Sequence, residues 1–156
     1  MAIHIVLVEP EIPPNTGNIA RSCAATGSVL HLIEPLGFSI DDKSLKRAGL
    51  DYWPFVKLEV HAGLEAFMEK YKGRTMYLAT TKGGKLYTEV TYRDEDMILF
   101  GKETAGLPED FIRQHEEQAI RIPMSKETRL RSFNLSNSAN IILFEALRQQ
   151  NFPGLK

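Results

Sequence analysis

The chain has 156 residues, 43% hydrophobic and 25% charged, a balance that belongs to a globular domain and excludes a disordered or fibrous one. A formal net charge of -1 excludes a generally basic coat for nucleic acid, so any RNA surface must be concentrated on one face. The single Cys23 precludes an intramolecular disulfide and suits a reducing cytosol, and neither a leader pattern nor a run of about 18 apolar residues occurs, so a cytoplasmic protein with no membrane partner is expected.

In chain order, Ile3 to Val8 is an apolar, β-branched run stopped by Glu9-Pro10, which predicts a central buried strand. Pro10, Pro13 and Pro14 then force an extended loop. Asn15 is placed to cap a helix running to about Ala25, with Gly27 as its left-handed exit, and Val29 to Ile33 follows as a second strand. That spacing is a βαβ unit with parallel strands. Cys23, between Ser22 and Ala24 in a helical pattern, reads as a small core residue.

Asp41 to Gly49 predicts a short capped helix with a basic side at Lys43, Lys46 and Arg47, either a solvated face or an RNA contact. Phe55 to Val60 alternates as a strand does, Leu64 to Tyr71 is a short amphipathic helix closed by Gly73, and Thr75 to Thr81 is a further strand. Lys82 to Lys85 reads as a flexible basic loop and Val90 to Asp96 as polar surface. Met97 to Phe100 and Ala119 to Ile122 are short apolar runs ended by Gly101 and Pro123, so each predicts a buried strand emptying into a loop. Between them Pro108-Glu109-Asp110 opens a helix. The last helix runs from near Asn134 to about Gln150. Beyond its stripe of Leu135, Ala139, Ile142, Ala146 and Leu147 it carries Ile141, Leu143 and Phe144, more apolar surface than one core contact requires, which predicts packing on another subunit.

Several chemistries lack their motifs. There is no G-x-G-x-x-G after the first strand, no G-x-x-x-x-G-K-[ST], no H-E-x-x-H and no C-x-x-C. His4, His31, His61 and His115 show no metal-ligand spacing, so a structural role is expected for each and no metal is expected. What is present is a set of small and polar residues after the predicted strands, where an open parallel sheet offers its binding crevice. On a helix, Arg21 would project beside Asn18 over the gap left by Gly17, an arrangement suited to holding a phosphate with an amide nearby for a sugar hydroxyl.

Together Pro14-Asn-Thr-Gly-Asn-Ile-Ala-Arg21, Leu99-Phe-Gly-Lys-Glu-Thr-Ala-Gly-Leu-Pro108, and Ile122-Pro-Met124 with Arg131-Ser-Phe-Asn-Leu-Ser136 resemble the three motifs of the SPOUT methyltransferase superfamily. Asp42-Lys-Ser-Leu-Lys-Arg-Ala-Gly-Leu-Asp-Tyr52 and Glu145-Ala-Leu-Arg-Gln-Gln-Asn-Phe-Pro-Gly154 look like its small TrmL group, the tRNA wobble-position cytidine/uridine 2'-O-methyltransferases. The resemblance spans the chain, so residues 1–156 are expected to be a single α/β domain, an open, mainly parallel sheet flanked by helices. It also implies a C-terminal trefoil knot, a homodimer, S-adenosylmethionine as methyl donor and the tRNA anticodon stem-loop as partner. Carried over by motif, Arg21, Asn18, Glu103, Ser132 and Asn134 are the expected catalytic set, and Ala79, Thr80, Gly101, Ile122, Met124 and Ser132 the cofactor contacts. Glu103 has a second reading, a structural carboxylate that accepts backbone donors in its own loop. The loop 125–130 is longer than the group's pattern, and Phe133 stands where an aliphatic residue is usual. Two other functions remain compatible with the residues, a noncatalytic RNA-binding dimer that keeps the cofactor pocket and a small-molecule α/β enzyme.

Overall fold

The computed structural model describes residues 2–127 and 133–156. Seven strands form one sheet in the order β3-β2-β1-β6-β4-β7-β5, and every neighbouring pair is parallel. They are β1 (His4–Val8), β2 (Val29–Ile33), β3 (Lys57–His61), β4 (Met76–Ala79), β5 (Lys85–Leu86), β6 (Met97–Phe100) and β7 (Ala119–Arg121). The helices are α1 (Pro13–Thr26), α2 (Lys43–Gly49), α3 (Leu64–Lys70), α4 (Glu109–Gln114) and α5 (Leu135–Gln149), with 3-10 turns at Leu50–Phe55 and Glu116–Gln118.

Alternation along the strands feeds two cores. Ile5 and Leu7 of β1 join Leu30, Leu32, Ile98 and Ile120 beneath α1 and α5. Val6 and Val8 point the other way and meet Ile33, Leu78, Leu99, Phe67 of α3 and Phe111 of α4. With both faces covered, the central strands need apolar residues at every position, and β1 and β6 are buried throughout. Cys23 is fully buried in the first core, and that burial pushes its thiol up to about 12, so it packs as an inert small residue.

The elements differ from the sequence expectations where tertiary contacts decide. Helix α1 begins at Pro13 with Ile12 at its cap, because two prolines fill the first positions where no N–H is needed; Asn15 lies inside the helix. Gly27 does take the left-handed exit, with φ of 71°. Residues 90–96 are not simply surface. Tyr92 and Asp96 are buried, and the Tyr92 N–H donates to the side-chain oxygen of Gln149 on α5. Lys85 belongs to the edge strand β5 rather than to a loop, and Phe55 closes a 3-10 turn before β3. On α5, Leu143 is buried in the chain's own core, leaving Phe144 as its exposed large apolar residue.

Candidate functional site

The strand order reverses between β1 and β6: β2 and β3 are added on one side of β1, and β6, β4, β7 and β5 lie on the other. Such a switch point leaves a crevice at the carboxyl ends of the strands. A cleft of about 600 Å³ opens there, lined by Ala79 and Thr80 after β4, Phe100 to Leu107 after β6, and Ile120 to Ile122 with Met124 after β7. Ile12 and Asn15 close one side, and Phe133, Asn134, Leu135, Ser138 and Ile142 another.

The loop after β6 can turn into this space only because of its glycines. A Cβ on Gly101 would stand 2.0 Å from the backbone carbon of Gly106, and Gly106 itself has φ of 73°. Lys102 and Gly106 pair across the neck of the loop, with the Gly106 N–H donating to the Lys102 carbonyl at 2.8 Å. The result is a backbone-walled rim with little side-chain bulk.

This loop is locked to the start of α1 in both directions. The Glu103 carboxylate accepts the N–H groups of Glu11 and Ile12, each at 2.8 Å, and the side-chain amide of Asn15 at 3.2 Å. In return the Glu11 carboxylate accepts the Thr104 N–H at 3.0 Å and its hydroxyl at 2.8 Å. Those Thr104 donors, the hydroxyl foremost, hold the Glu11 carboxyl below its ordinary range. Glu103 is thus a carboxylate that fixes backbone donors, though the donors belong to the loop after β1 rather than to its own. Asn134 extends the network: its oxygen caps α5 by accepting from the N–H of Ser136, and its amide donates to the Asn15 oxygen at 3.2 Å.

Of the residues expected at the site, Ala79, Thr80, Gly101, Glu103, Ile122, Met124 and Asn134 all line the cleft. Ser132, expected in both roles, and Arg131 lie outside the described residues. Arg21 and Asn18 are exposed on α1 and are not among the described cleft residues; the Arg21 guanidinium sits 4.8 Å from the ring centre of Tyr52 instead of spanning toward the crevice. Glu11, Asn15 and Thr104 escaped sequence reasoning because their partners are some ninety residues away. So did a convergence of histidines: His4, His31 and His61 are joined by ring-nitrogen contacts of 2.8 and 3.0 Å on the α3 face of the sheet.

Comparison with known proteins places these features in company. Residues 2–144 match the model of the SpoU rRNA Methylase family. The tRNA (cytidine(34)-2'-O)-methyltransferase of Escherichia coli is 49% identical over 97% of this chain and 96% of its own. A solved structure concerned with the 2-OH methylation of C/U34 on tRNA shares 42% identity, covers 96% of this chain and 97% of the other, and superposes with a TM-score of 0.91. The SpoU methyltransferase AviRb of Streptomyces viridochromogenes, in complex with AdoMet, has the same fold with a TM-score of 0.84 at 23% identity, over 99% of this chain and 59% of its own.

Proposed function

Because this chain belongs to the SpoU rRNA Methylase family, we propose that it is a tRNA 2'-O-methyltransferase acting on the ribose of the wobble cytidine or uridine. The observation that carries the reading is near-complete, roughly half-identical correspondence with an enzyme named tRNA (cytidine(34)-2'-O)-methyltransferase. The donor proposed is S-adenosylmethionine. The cleft supports it: about 600 Å³ suits a nucleoside-sized ligand, Ile12, Ala79, Ile122 and Phe133 offer apolar surface, and the glycine-walled loop after β6 offers backbone groups at close range. When bound, this donor supplies an electrophilic methyl on a sulfonium.

The protein's task is to align a ribose hydroxyl in line with that methyl and to manage one proton. Backbone groups around Ala79, Thr80, Gly101, Ile122 and Met124 hold the donor. Ser132, Asn134 and Asn18 complete the set around the reacting ribose. Arg21 binds the phosphate beside the target ribose and stabilises the developing alkoxide; a guanidinium stays protonated, so it orients rather than acts as free base. Glu103 serves by fixing the loop after β6 against α1.

The working unit proposed is a homodimer. Arg21 stands outside the described cleft of its own chain, and exposed Ile12, Phe133 and Phe144 flank the cleft and α5, so a second copy covering this side would bring its Arg21 to the crevice. Lys43, Lys46 and Arg47 of one subunit with Arg21 and Arg131 of the other would form the local basic surface that a net charge of -1 denies to the whole. The test is incubation with methyl-labelled S-adenosylmethionine and unmodified tRNA. Label in tRNA that is lost with Arg21→Ala supports the reading; binding of both without transfer indicates the noncatalytic dimer.

A further inference from the structure

We propose that His31, His61 and Glu59 form a binding site for one divalent cation of the zinc type, between β2, the edge strand β3 and α3, away from the strands that form the cleft. His31 Nδ1 and His61 Nε2 are 3.0 Å apart, Glu59 Oε2 is 4.0 Å from His31 Nδ1, and Glu59 Oε1 is 3.9 Å from His61 Nε2. With one ligand atom taken from each residue, all three lie within 4.8 Å of one another, against roughly 3.3 Å around a tetrahedral zinc with ligands at about 2.0–2.2 Å, so side-chain rotations bring them into place. Two imidazoles and a carboxylate suit zinc better than the all-oxygen cations, and with three protein ligands a fourth position is left for water.

A second observation points to the same atoms. The Glu95 carboxylate accepts from His4 Nε2 at 3.1 Å, and in neutral His4 this leaves Nδ1 to accept from His31 Nε2 at 2.8 Å. With His4 in its neutral form, the proton of His31 lies on Nε2, and its Nδ1 lone pair faces His61 and Glu59. A zinc-bound histidine usually donates its other ring N–H to an acceptor that orients it, and here His4, itself held by Glu95, fills that place. On the other side the Tyr71 hydroxyl donates to Glu59 Oε2 at 2.6 Å and orients it. Phe67 and Tyr71 present ring edges to His31, with centroids 5.7 and 5.3 Å away, and wall the pair in apolar surroundings.

Binding conserves protons. His61 moves its proton from Nε2 to Nδ1, its Nε2 lone pair and that of His31 Nδ1 turn to the metal, and Lys70 releases Glu59 Oε1. Lys70 can do this as a charged side chain because 58% of it is exposed and it turns into solvent. The metal then ties the edge strand to its neighbour and stabilises the fold by mass action.

The test uses tag-free full-length protein freed of metal by chelator and titrated with Zn²⁺ against a chromophoric competitor. Expected are one equivalent bound, a raised unfolding temperature, and a loss of affinity of about 100-fold in both His61→Gln and Glu59→Gln, with S-adenosylmethionine binding unchanged. Because a variant can fail to fold, side-chain nitrogen NMR of the unaltered protein supplies an independent readout, shifts at His31 Nδ1 and His61 Nε2 on adding one equivalent of Zn²⁺. No stoichiometric binding at micromolar metal, equal affinity in the folded variants, or shifts confined to His115 would overturn the proposal.

Discussion

Glu103 joins two segments that the chain keeps far apart, and its consequences are measurable one residue at a time. Glu103→Ala leaves the N–H groups of Glu11 and Ile12 without their acceptor. Since these bonds are charge-assisted, a loss of about 1–3 kcal/mol in urea unfolding is expected, together with weakened S-adenosylmethionine binding, because the loop after β6 loses its anchor. Unchanged stability with lost methyl transfer would instead make Glu103 a participant in the chemistry. Arg21→Ala is expected to behave the opposite way: donor affinity by calorimetry stays, while transfer to tRNA falls by about 10²–10³, the usual cost of removing one positioned charge from a reacting centre. Equal loss of both would contradict the assignment of Arg21 to the RNA side. The cleft's place was readable from the small and polar residues that follow the predicted strands, where an open parallel sheet binds, and its individual residues from the resemblance to the SPOUT motifs. Their locks were not readable, because nothing local to Glu11 or Asn15 announces a partner at Glu103 or Thr104.

At the scale of elements, β1, β2, β6 and β7 were legible because each is a short, largely apolar run, broken only by His4, His31 or Arg121, and followed by a Gly or Pro unsuited to a central strand. Strand β5 was not, since two residues with Lys85 among them become a strand only when β7 supplies the ladder. The histidines were missed for a related reason. His4 pairs with Val29 and His31 pairs with Val6, so the two rings stand two residues out of register, and only the parallel alignment brings them to one face. This face carries a pH prediction. Glu95 is held down to about 2, foremost by the His4 hydrogen bond and also by the Ala2 N–H. A carboxyl depressed in the folded state contributes stability that is complete above its unfolded value near 4.5 and drains away as pH falls from there toward 2. Glu95→Gln should therefore flatten the fall in urea midpoint between those limits relative to the unaltered protein; an identical slope would mean that the His4–Glu95 link contributes nothing. In the loop after β6, Gly101→Ala drives a Cβ into the Gly106 backbone, and S-adenosylmethionine affinity should drop by at least about tenfold as that wall is displaced.

For the whole molecule, the excess apolar surface expected of the last helix is smaller than the sequence suggests. Leu143 belongs to the chain's own core, so a charge there would unfold the protein rather than separate subunits. Phe144, 47% exposed, is the residue to change. Phe144→Glu should give, by light scattering, a folded monomer that no longer methylates tRNA; a monomeric unaltered protein with full activity would remove the dimer from the account. Among the described residues no helix is long and apolar enough to cross a membrane. The central claim is where the methyl goes. Mass spectrometry of nucleosides and of nuclease fragments from tRNA treated with the protein and labelled S-adenosylmethionine tests it most directly. The account predicts the label in 2'-O-methylated cytidine or uridine within the anticodon fragment, at the wobble position alone. Label on a base, or on a ribose elsewhere in the tRNA, would contradict it.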